Sequence, residues 1–297
     1  MIDILGIGEA LIEFAQVGND SYKQSFAGDV LNTLYYASKF GLSTSFFSTF
    51  GADGYTTDLQ NFLTASKIDY SLCSISKDKN NGLYIIRNAA NGDPEFTFFR
   101  SDSAAKTSFS QAKKILPKTK IVLSSAIALA ILNDRKRFFE TLTLLGVNST
   151  IYFDLNVRSR LWTNKNDLIN LLPDLASRIH ILSLSRSDDK SLFGERTVRD
   201  ITRSYEWLGF RHVILRDEAN DVCLRIEGQT EFVPLEPVET VIDATGAGDA
   251  FNAGYLYGWL QGYDPIACAD LGNQSARQVL TEKGGIVKTF TPPAFNP

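Results

Sequence analysis

Residues 242–254, Ile-Asp-Ala-Thr-Gly-Ala-Gly-Asp-Ala-Phe-Asn-Ala-Gly, constrain this chain more than any other stretch. A strand-like run leads into a short Gly-rich turn, and the turn opens a long apolar pattern with helical spacing. Backbone N–H groups at a helix start lack partners, and the helix dipole adds positive potential there. Such a start is a site for an anion. Gly246 and Gly248 have no Cβ, so an oxygen anion can approach the main chain closely. Asp249 puts a carboxylate beside it. A bound anion repels that carboxylate unless it has work to do there, and the natural work is to take a proton from an attacking hydroxyl. The combination implies phosphoryl transfer to an alcohol. A bare Gly-Ala-Gly-Asp also serves as a plain helix-capping turn, so the rest of the chain has to decide.

Composition sets the bounds. The chain has 297 residues, 44% hydrophobic and 22% charged, enough for one large domain. A net charge of -4 argues against a general nucleic-acid or anionic-membrane surface. The first Lys or Arg is Lys23, so there is no basic leader of the secretory type. The longest apolar stretch, 121–132, is interrupted by two serines and is too short to span a bilayer. Cys73, Cys223 and Cys268 are few and widely spaced, which fits a reducing cytoplasm and no zinc site. His180 and His212 sit beside apolar runs and read as structural.

The pattern along the chain alternates. Residues 2–7, 46–50, 121–123, 151–154, 179–184 and 213–215 read as short strands. Residues 27–40, 59–67, 134–146, 166–177 and 197–209 read as helices. This alternation predicts a single α/β domain over 1–297, with a doubly wound, mostly parallel central sheet flanked by helices. Ligands of such sheets bind beyond the strand C-termini. Two segments break the rhythm. Residues 11–17 and 82–100 read as antiparallel strands, the second with a turn at Asn91-Gly92-Asp93-Pro94. They predict a small β-sheet lid formed by about 9–20 and 80–102. In the helix after Asp249, Ala250, Gly254 and Gly258 make a small-residue stripe, suited to close packing on the sheet or a neighbouring helix. Residues 291–297 read as a surface tail.

Two signatures more than 200 residues apart then resemble one family. Asp243-Ala-Thr-Gly-Ala-Gly-Asp249, continued by Ala-Phe-Asn-Ala-Gly254, is similar to the C-terminal signature of the ribokinase-like (PfkB) carbohydrate kinases. Ala27-Gly-Asp-Val-Leu-Asn32 resembles the N-terminal one. Within that family the chain looks most like the 2-keto-3-deoxygluconate kinases. The matching stretches are Gly6-Ile-Gly-Glu-Ala-Leu-Ile-Glu13, Gly82-Leu-Tyr-Ile-Ile86, Phe98-Phe-Arg-Ser-Asp-Ser-Ala-Ala105, Leu123-Ser-Ser-Ala-Ile-Ala-Leu-Ala-Ile131 and Asp154-Leu-Asn-Val-Arg-Ser-Arg-Leu-Trp162. The last of these is shared with fructokinases.

The resemblance implies an ATP- and Mg²⁺-dependent kinase making the 6-phosphate of that sugar acid. Asp249 would be the general base, kept ionised by the helix start. The N–H groups of Gly246, Ala247 and Gly248 would hold the transferring phosphoryl group. Gly28, Asn32, Tyr84, Arg100 and Arg158 match residues that touch the sugar, the two arginines at its acid end. Phe98 stands where these kinases usually have Tyr, so one hydroxyl is missing. On the nucleotide side, Ser185-Arg186-Ser187-Asp188 replaces the usual Asn-x-x-Glu, with Asp188 left to order Mg²⁺ through water. Arg216-Asp217-Glu218 replaces Lys-x-Gly near the ribose and phosphates. Asn273 matches a position near the adenine. Asp243, Thr245 and Gly284-Gly285 resemble parts of a monovalent-cation site, for K⁺. Relatives pair their lids, which implies a homo-oligomer.

Three other readings compete. One is a fructokinase or other hexose kinase of the same family. Another is a sugar-binding regulator with a weakened nucleotide side. The third is a nicotinamide dehydrogenase, invited by Gly6-Ile-Gly8 but opposed by Leu11 where the third glycine should stand.

Overall fold

The computed structural model describes residues 1–88, 94–110, 116–217 and 221–294. Most of the turn Asn91-Gly92-Asp93-Pro94, Glu218 and the end of the proline-rich tail lie outside them.

The apolar strand runs do what burial on both faces requires. Nine strands form one sheet in the order Gln229–Val233, Val222–Ile226, His212–Arg216, Ile181–Ser185, Thr150–Asp154, Thr119–Ser125, Ile2–Ile7, Thr44–Phe47, Ile68–Asp69. All neighbours pair in parallel except the two edge strands 222–226 and 229–233, which close the sheet antiparallel. Alternate side chains feed two cores. Ile4, Ile121, Tyr152, Ile181 and Ile214 pack under the helices Asp29–Lys39, Ala247–Gln261 and Pro265–Val279. Leu5, Val122, Phe153, Leu182 and Val213 pack under Arg135–Gly146 and Val198–Trp207. This is the doubly wound α/β architecture the alternation implies.

A second sheet stands apart, with strands in the order Ser21–Ala27, Leu11–Gly18, Gly82–Asn88, Pro94–Phe99. Each hairpin is antiparallel, but the two central strands, 11–18 and 82–88, run parallel to each other. The sequence reading anticipated only the antiparallel relation and missed strand 21–27, whose polar run hid it.

Other differences have local causes. The helix expected over 166–177 is two short pieces, Lys165–Ile169 and Leu172–Ala176, with Pro173 in the first turn of the second. The helix expected at 59–67 begins at Tyr55. The strand-like run before the Gly-rich turn is not a strand. The sheet is already complete at Val233, and Ile242 donates its N–H to Leu280 O at 2.8 Å instead.

The helix Ala247–Gln261 is buried along most of its length. Its small-residue stripe settles on the neighbouring helix Pro265–Val279. A Cβ on Gly254 would stand 2.6 Å from Leu271 O, and one on Gly258 would stand 3.1 Å from Cys268 Sγ. Gly6 and Gly8 admit the first helix in the same way. Cβ atoms there would press on Val30 and Leu34 at 2.7–2.8 Å. Those glycines are packing devices, and the dehydrogenase reading loses its motif. His212 Nε2 lies 2.8 Å from Tyr255 OH, and His180 Nδ1 accepts from Ile151 N. Both histidines are structural. No helix among the described residues is long and apolar enough to cross a membrane.

Candidate active site

The site forms where the parallel strands end. Gly246 caps the helix Ala247–Gln261 in the left-handed conformation, φ +81°. A Cβ there would meet Gly285 O at 2.3 Å, so both backbone conformation and the Gly284-Gly285 turn demand glycine. That turn is held from two sides. Asp243 accepts from Thr245 N and Gly284 N, both at 2.9 Å, and Tyr36 OH donates to Gly285 O at 2.8 Å. Thr245 and Asp243 thus brace the helix start.

The N–H groups of Gly246, Gly248 and Asp249 find no acceptor among the described residues. The N–H of Ala247 does: it donates to Ala244 O at 3.2 Å. Of the Gly246–Ala247–Gly248 trio expected from sequence to hold an anion, Ala247 thus has its N–H engaged, while those of Gly246 and Gly248, joined by Asp249, are open. Geometry, not residue type, makes the difference.

Asp249 is buried on the first turn. Asn32, from the first helix, donates its Nδ2 to Asp249 Oδ2 at 2.8 Å. That leaves Oδ1 for a substrate hydroxyl. The expectation that the helix start keeps this carboxyl ionised needs correction. Burial first, and the charge of Asp29 second, push its pKa up to about 8. Asp29 itself accepts from Asn156 Nδ2 at 3.1 Å and from Val30 N at 2.8 Å.

Arg216 lies beneath this helix start and not at its mouth. Its Nη2 pairs with Asp154 Oδ1 at 2.9 Å, and its Nη1 donates to Gly248 O at 3.0 Å. Asp154 also accepts from Asn252 Nδ2 at 2.7 Å. Burial raises the Asp154 carboxyl to about 6 despite the guanidinium. Arg216 was expected at the nucleotide; here its two terminal nitrogens fix the helix start, while its buried Nε has no hydrogen-bond partner among the described residues.

Three other nucleotide-side residues are also internally committed. Ser185 and Asp188 form a capping box on the helix Arg186–Phe193. Asp188 Oδ2 accepts from Ser185 N and Oγ, and Oδ1 accepts from Val157 N at 2.6 Å. Both oxygens are thus engaged in a buried cap. Asn273 is buried and donates to Pro234 O at 3.2 Å.

On the sugar side, Gly28 faces the end of the first strand. A Cβ there would stand 2.2 Å from Glu9 O, so the chain crossing alone requires glycine. Tyr84 is buried, with its hydroxyl donated to Glu13 and its ring 5.2 Å from that of Phe98. Arg100 covers the Phe98 ring, 4.6 Å from its centroid, and pairs with the buried Glu9. Arg158 is exposed, and among the described residues its side chain reaches only Val157 O.

Sequence reading did not single out Glu9, Glu13, Asp29, Asp154 or Asn252. Glu9 follows the first strand, Glu13 lies within strand 11–18, Asp154 ends strand 150–154 and Asp29 starts the first helix. Those positions were their available signal.

Three buried carboxyls with raised pKa values make stability fall as pH rises. Each binds its proton more tightly folded than unfolded, where it titrates near about 4. The stabilisation is present below that pH and is lost up to about 8, through Asp154, Glu9 and Asp249 in turn. Calorimetry should give a lower Tm at pH 8.5 than at pH 5.5, with a narrower gap in Asp249→Asn.

The pfkB family carbohydrate kinase profile matches residues 1–291. The 2-dehydro-3-deoxygluconokinase of Haemophilus influenzae is 30% identical over 301 residues, covering 97% of this chain and 96% of its own. Its namesake in Escherichia coli K12 is 29% identical over 304 residues, covering 97% and 98%. Among solved structures, aminoimidazole riboside kinase from Salmonella enterica, complexed with its riboside and an ATP analogue, superposes with a TM-score of 0.85 at 22% identity. That alignment covers 98% of this chain and 97% of the other. A double-mutant fructokinase from Vibrio cholerae, bound to fructose, ADP and potassium, does so at 0.85 and 19%, covering 98% and 96%. With its braced anion hole and a family match over nearly its whole length, the chain belongs to the pfkB family of carbohydrate kinases and is a phosphotransferase.

Proposed function

We propose that this kinase transfers the γ-phosphoryl group of ATP to the 6-hydroxyl of 2-keto-3-deoxygluconate. The observation that carries the reading is the meeting of Asp249, oriented by Asn32, with three unpaired N–H groups at one helix start. The curated relatives named for this sugar acid support the choice of substrate. Asp249 Oδ1 takes the proton as the hydroxyl oxygen bonds to phosphorus, and ADP leaves with the bridging oxygen. The N–H groups of Gly246, Gly248 and Asp249 hold the charge of the transferring group, the larger electrostatic contribution. Mg²⁺ is expected to arrive on the ATP phosphates and keep much of its water; no side chain is assigned to it. The brace of Asp243 and Thr245 on the Gly284-Gly285 turn suits a K⁺ site, testable by replacing K⁺ with Na⁺. The small sheet acts as a lid that excludes water. Its exposed Val17, Tyr22, Phe98 and Phe99 suit pairing of two copies.

The panel for ADP release is 2-keto-3-deoxygluconate, gluconate, fructose, ribose and adenosine with Mg-ATP. Preference for the keto acid supports the reading, and preference for fructose replaces it with a fructokinase. The missing hydroxyl at Phe98 is the observation that favours the latter. Arg100→Ala should separate the two as well. Losing a charged hydrogen bond costs roughly 10–100-fold in kcat/KM for the acid sugar, and little for fructose. Equal losses would remove the carboxylate role.

The base also sets a pH profile. Only ionised Asp249 can accept the proton, and its carboxyl titrates at about 8. The free-enzyme profile, kcat/KM against pH, should rise about tenfold per unit below that value and level off above it. A profile already flat at pH 6 would show that Asp249 is not the titrating base.

A further inference from the structure

Arg100 is not an open anion site. Its guanidinium is already paired with Glu9, at the junction between the first strand of the main sheet and the small sheet. The Glu9 side chain is 1% exposed and that of Arg100 is 11% exposed, so the pair is nearly dry. One Glu9 oxygen takes the guanidinium. The other, Oε2, is buried with no hydrogen-bond partner among the described residues. The charged groups that act on Glu9 are Arg100, from the end of the small sheet, and Asp29, from the first helix. Asp29 repels the negative form.

This arrangement has a consequence for an anionic substrate, and it rests on the acid-sugar reading above. A carboxylate that reaches Arg100 makes a second anion on one cation. The guanidinium has N–H groups to spare, so it can hold both. Two carboxylates sharing a dry site with Asp29 nearby cannot both keep their charge cheaply, and one takes a proton. The sugar acid is the stronger acid, so the proton goes to Glu9, where Oε2 is free to carry it. A neutral ketose brings no charge and leaves the Glu9–Arg100 pair closed.

We infer that Glu9 is a built-in counter-anion of the substrate subsite, and that binding an acid sugar at Arg100 draws one proton from solvent onto Glu9 whereas binding a neutral sugar draws none. Glu9 thereby acts through Arg100 as a specificity-determining positioning residue. It removes the bare positive charge that would otherwise attract any small anion, and it makes acid-sugar affinity fall as pH rises. Burial already raises the Glu9 carboxyl to about 7 in the empty protein, which places the coupling in the neutral range.

The test is isothermal titration calorimetry of the nucleotide-free protein in two buffers of different ionisation enthalpy, at pH 6 and pH 8. The dependence of the measured heat on buffer gives the protons taken up. With 2-keto-3-deoxygluconate, a group at about 7 that is pushed up on binding takes up about one proton at pH 8 and little at pH 6. Fructose should give near zero at both. Running the same titrations on Asp249→Asn removes a second titrating carboxyl and should leave these counts standing. Glu9→Gln should abolish the uptake and flatten the affinity between pH 6 and pH 8. If that variant does not fold, the wild-type counts and their pH dependence still decide. Acid-sugar binding without uptake at pH 8 overturns the inference and leaves the kinase assignment intact; the substrate carboxylate would then rest on Arg158. Equal uptake with fructose, or uptake that survives Glu9→Gln, also overturns it. Binding of fructose but not of the acid sugar overturns the substrate assignment and this inference together.

Discussion

Asp249→Asn leaves a folded protein that binds ATP and transfers almost no phosphoryl group. The amide has the size of the carboxylate, and its oxygen can still accept from Asn32 at the 2.8 Å position of Oδ2. What it cannot do is take a proton. The expected loss in kcat is roughly 10²–10⁴-fold, the usual contribution of a positioned base. The anion hole is main chain and survives, so ATP affinity should stay within a small factor of wild type. The same change should raise Tm at pH 8, because it removes a buried carboxyl that folding disfavours in its charged form. ADP release at pH 8, nucleotide titration and a melting curve check the three statements. Retained full turnover would exclude Asp249 as the base.

Arg216→Met is expected to cost more stability than any other single change argued from this site. It keeps the length of the side chain and deletes the charge. Asp154 would then lie buried without its 2.9 Å ion pair, and Gly248 O would lose its 3.0 Å donor. Breaking a buried pair from one side costs about 3–5 kcal/mol, a Tm drop on the order of 10 °C for a domain of this size. The loss should be larger at pH 8 than at pH 5.5. Without the guanidinium the Asp154 pKa rises further above its unfolded value, and protonation at low pH relieves the unpaired charge. Turnover should fall as well, because Arg216 holds the turn that presents the phosphate-binding N–H groups. A Tm drop independent of pH would show that lost packing, not the ion pair, is what Arg216 contributes.

Some of this was open to reading along the chain. Apolar runs of strand length alternating with helical spacing can bury both faces of a sheet in few ways, so the doubly wound fold was legible. Gly246 and Asp249 were legible because a left-handed cap followed by a helix start is local chemistry, settled within a few residues. The strand 21–27 was not, since its polar residues face solvent and carry no apolar alternation. Residue type does not reveal which amide a turn engages, so the bond from Ala247 N to Ala244 O was not legible.

The pairings that set the site's electrostatics join residues far apart in sequence. Asn32 reaches Asp249 across 217 positions, Arg100 reaches Glu9 across 91, and Arg216 reaches Asp154 across 62. A motif reports the backbone geometry around itself, and it placed Arg216, Asp188 and Asn273 on the nucleotide by position alone. Packing gives each of them an internal partner as well, since a buried charge or amide must find one inside the fold. The sequence by itself determined the architecture and set Gly246 and Asp249 at a helix start, because each follows from local conformation or periodic burial. Only the tertiary structure decided what surrounds Asp249, what Arg216 and Arg100 pair with, and that Glu9 lies buried beside Arg100. Those depend on burial and on charges brought together from distant segments.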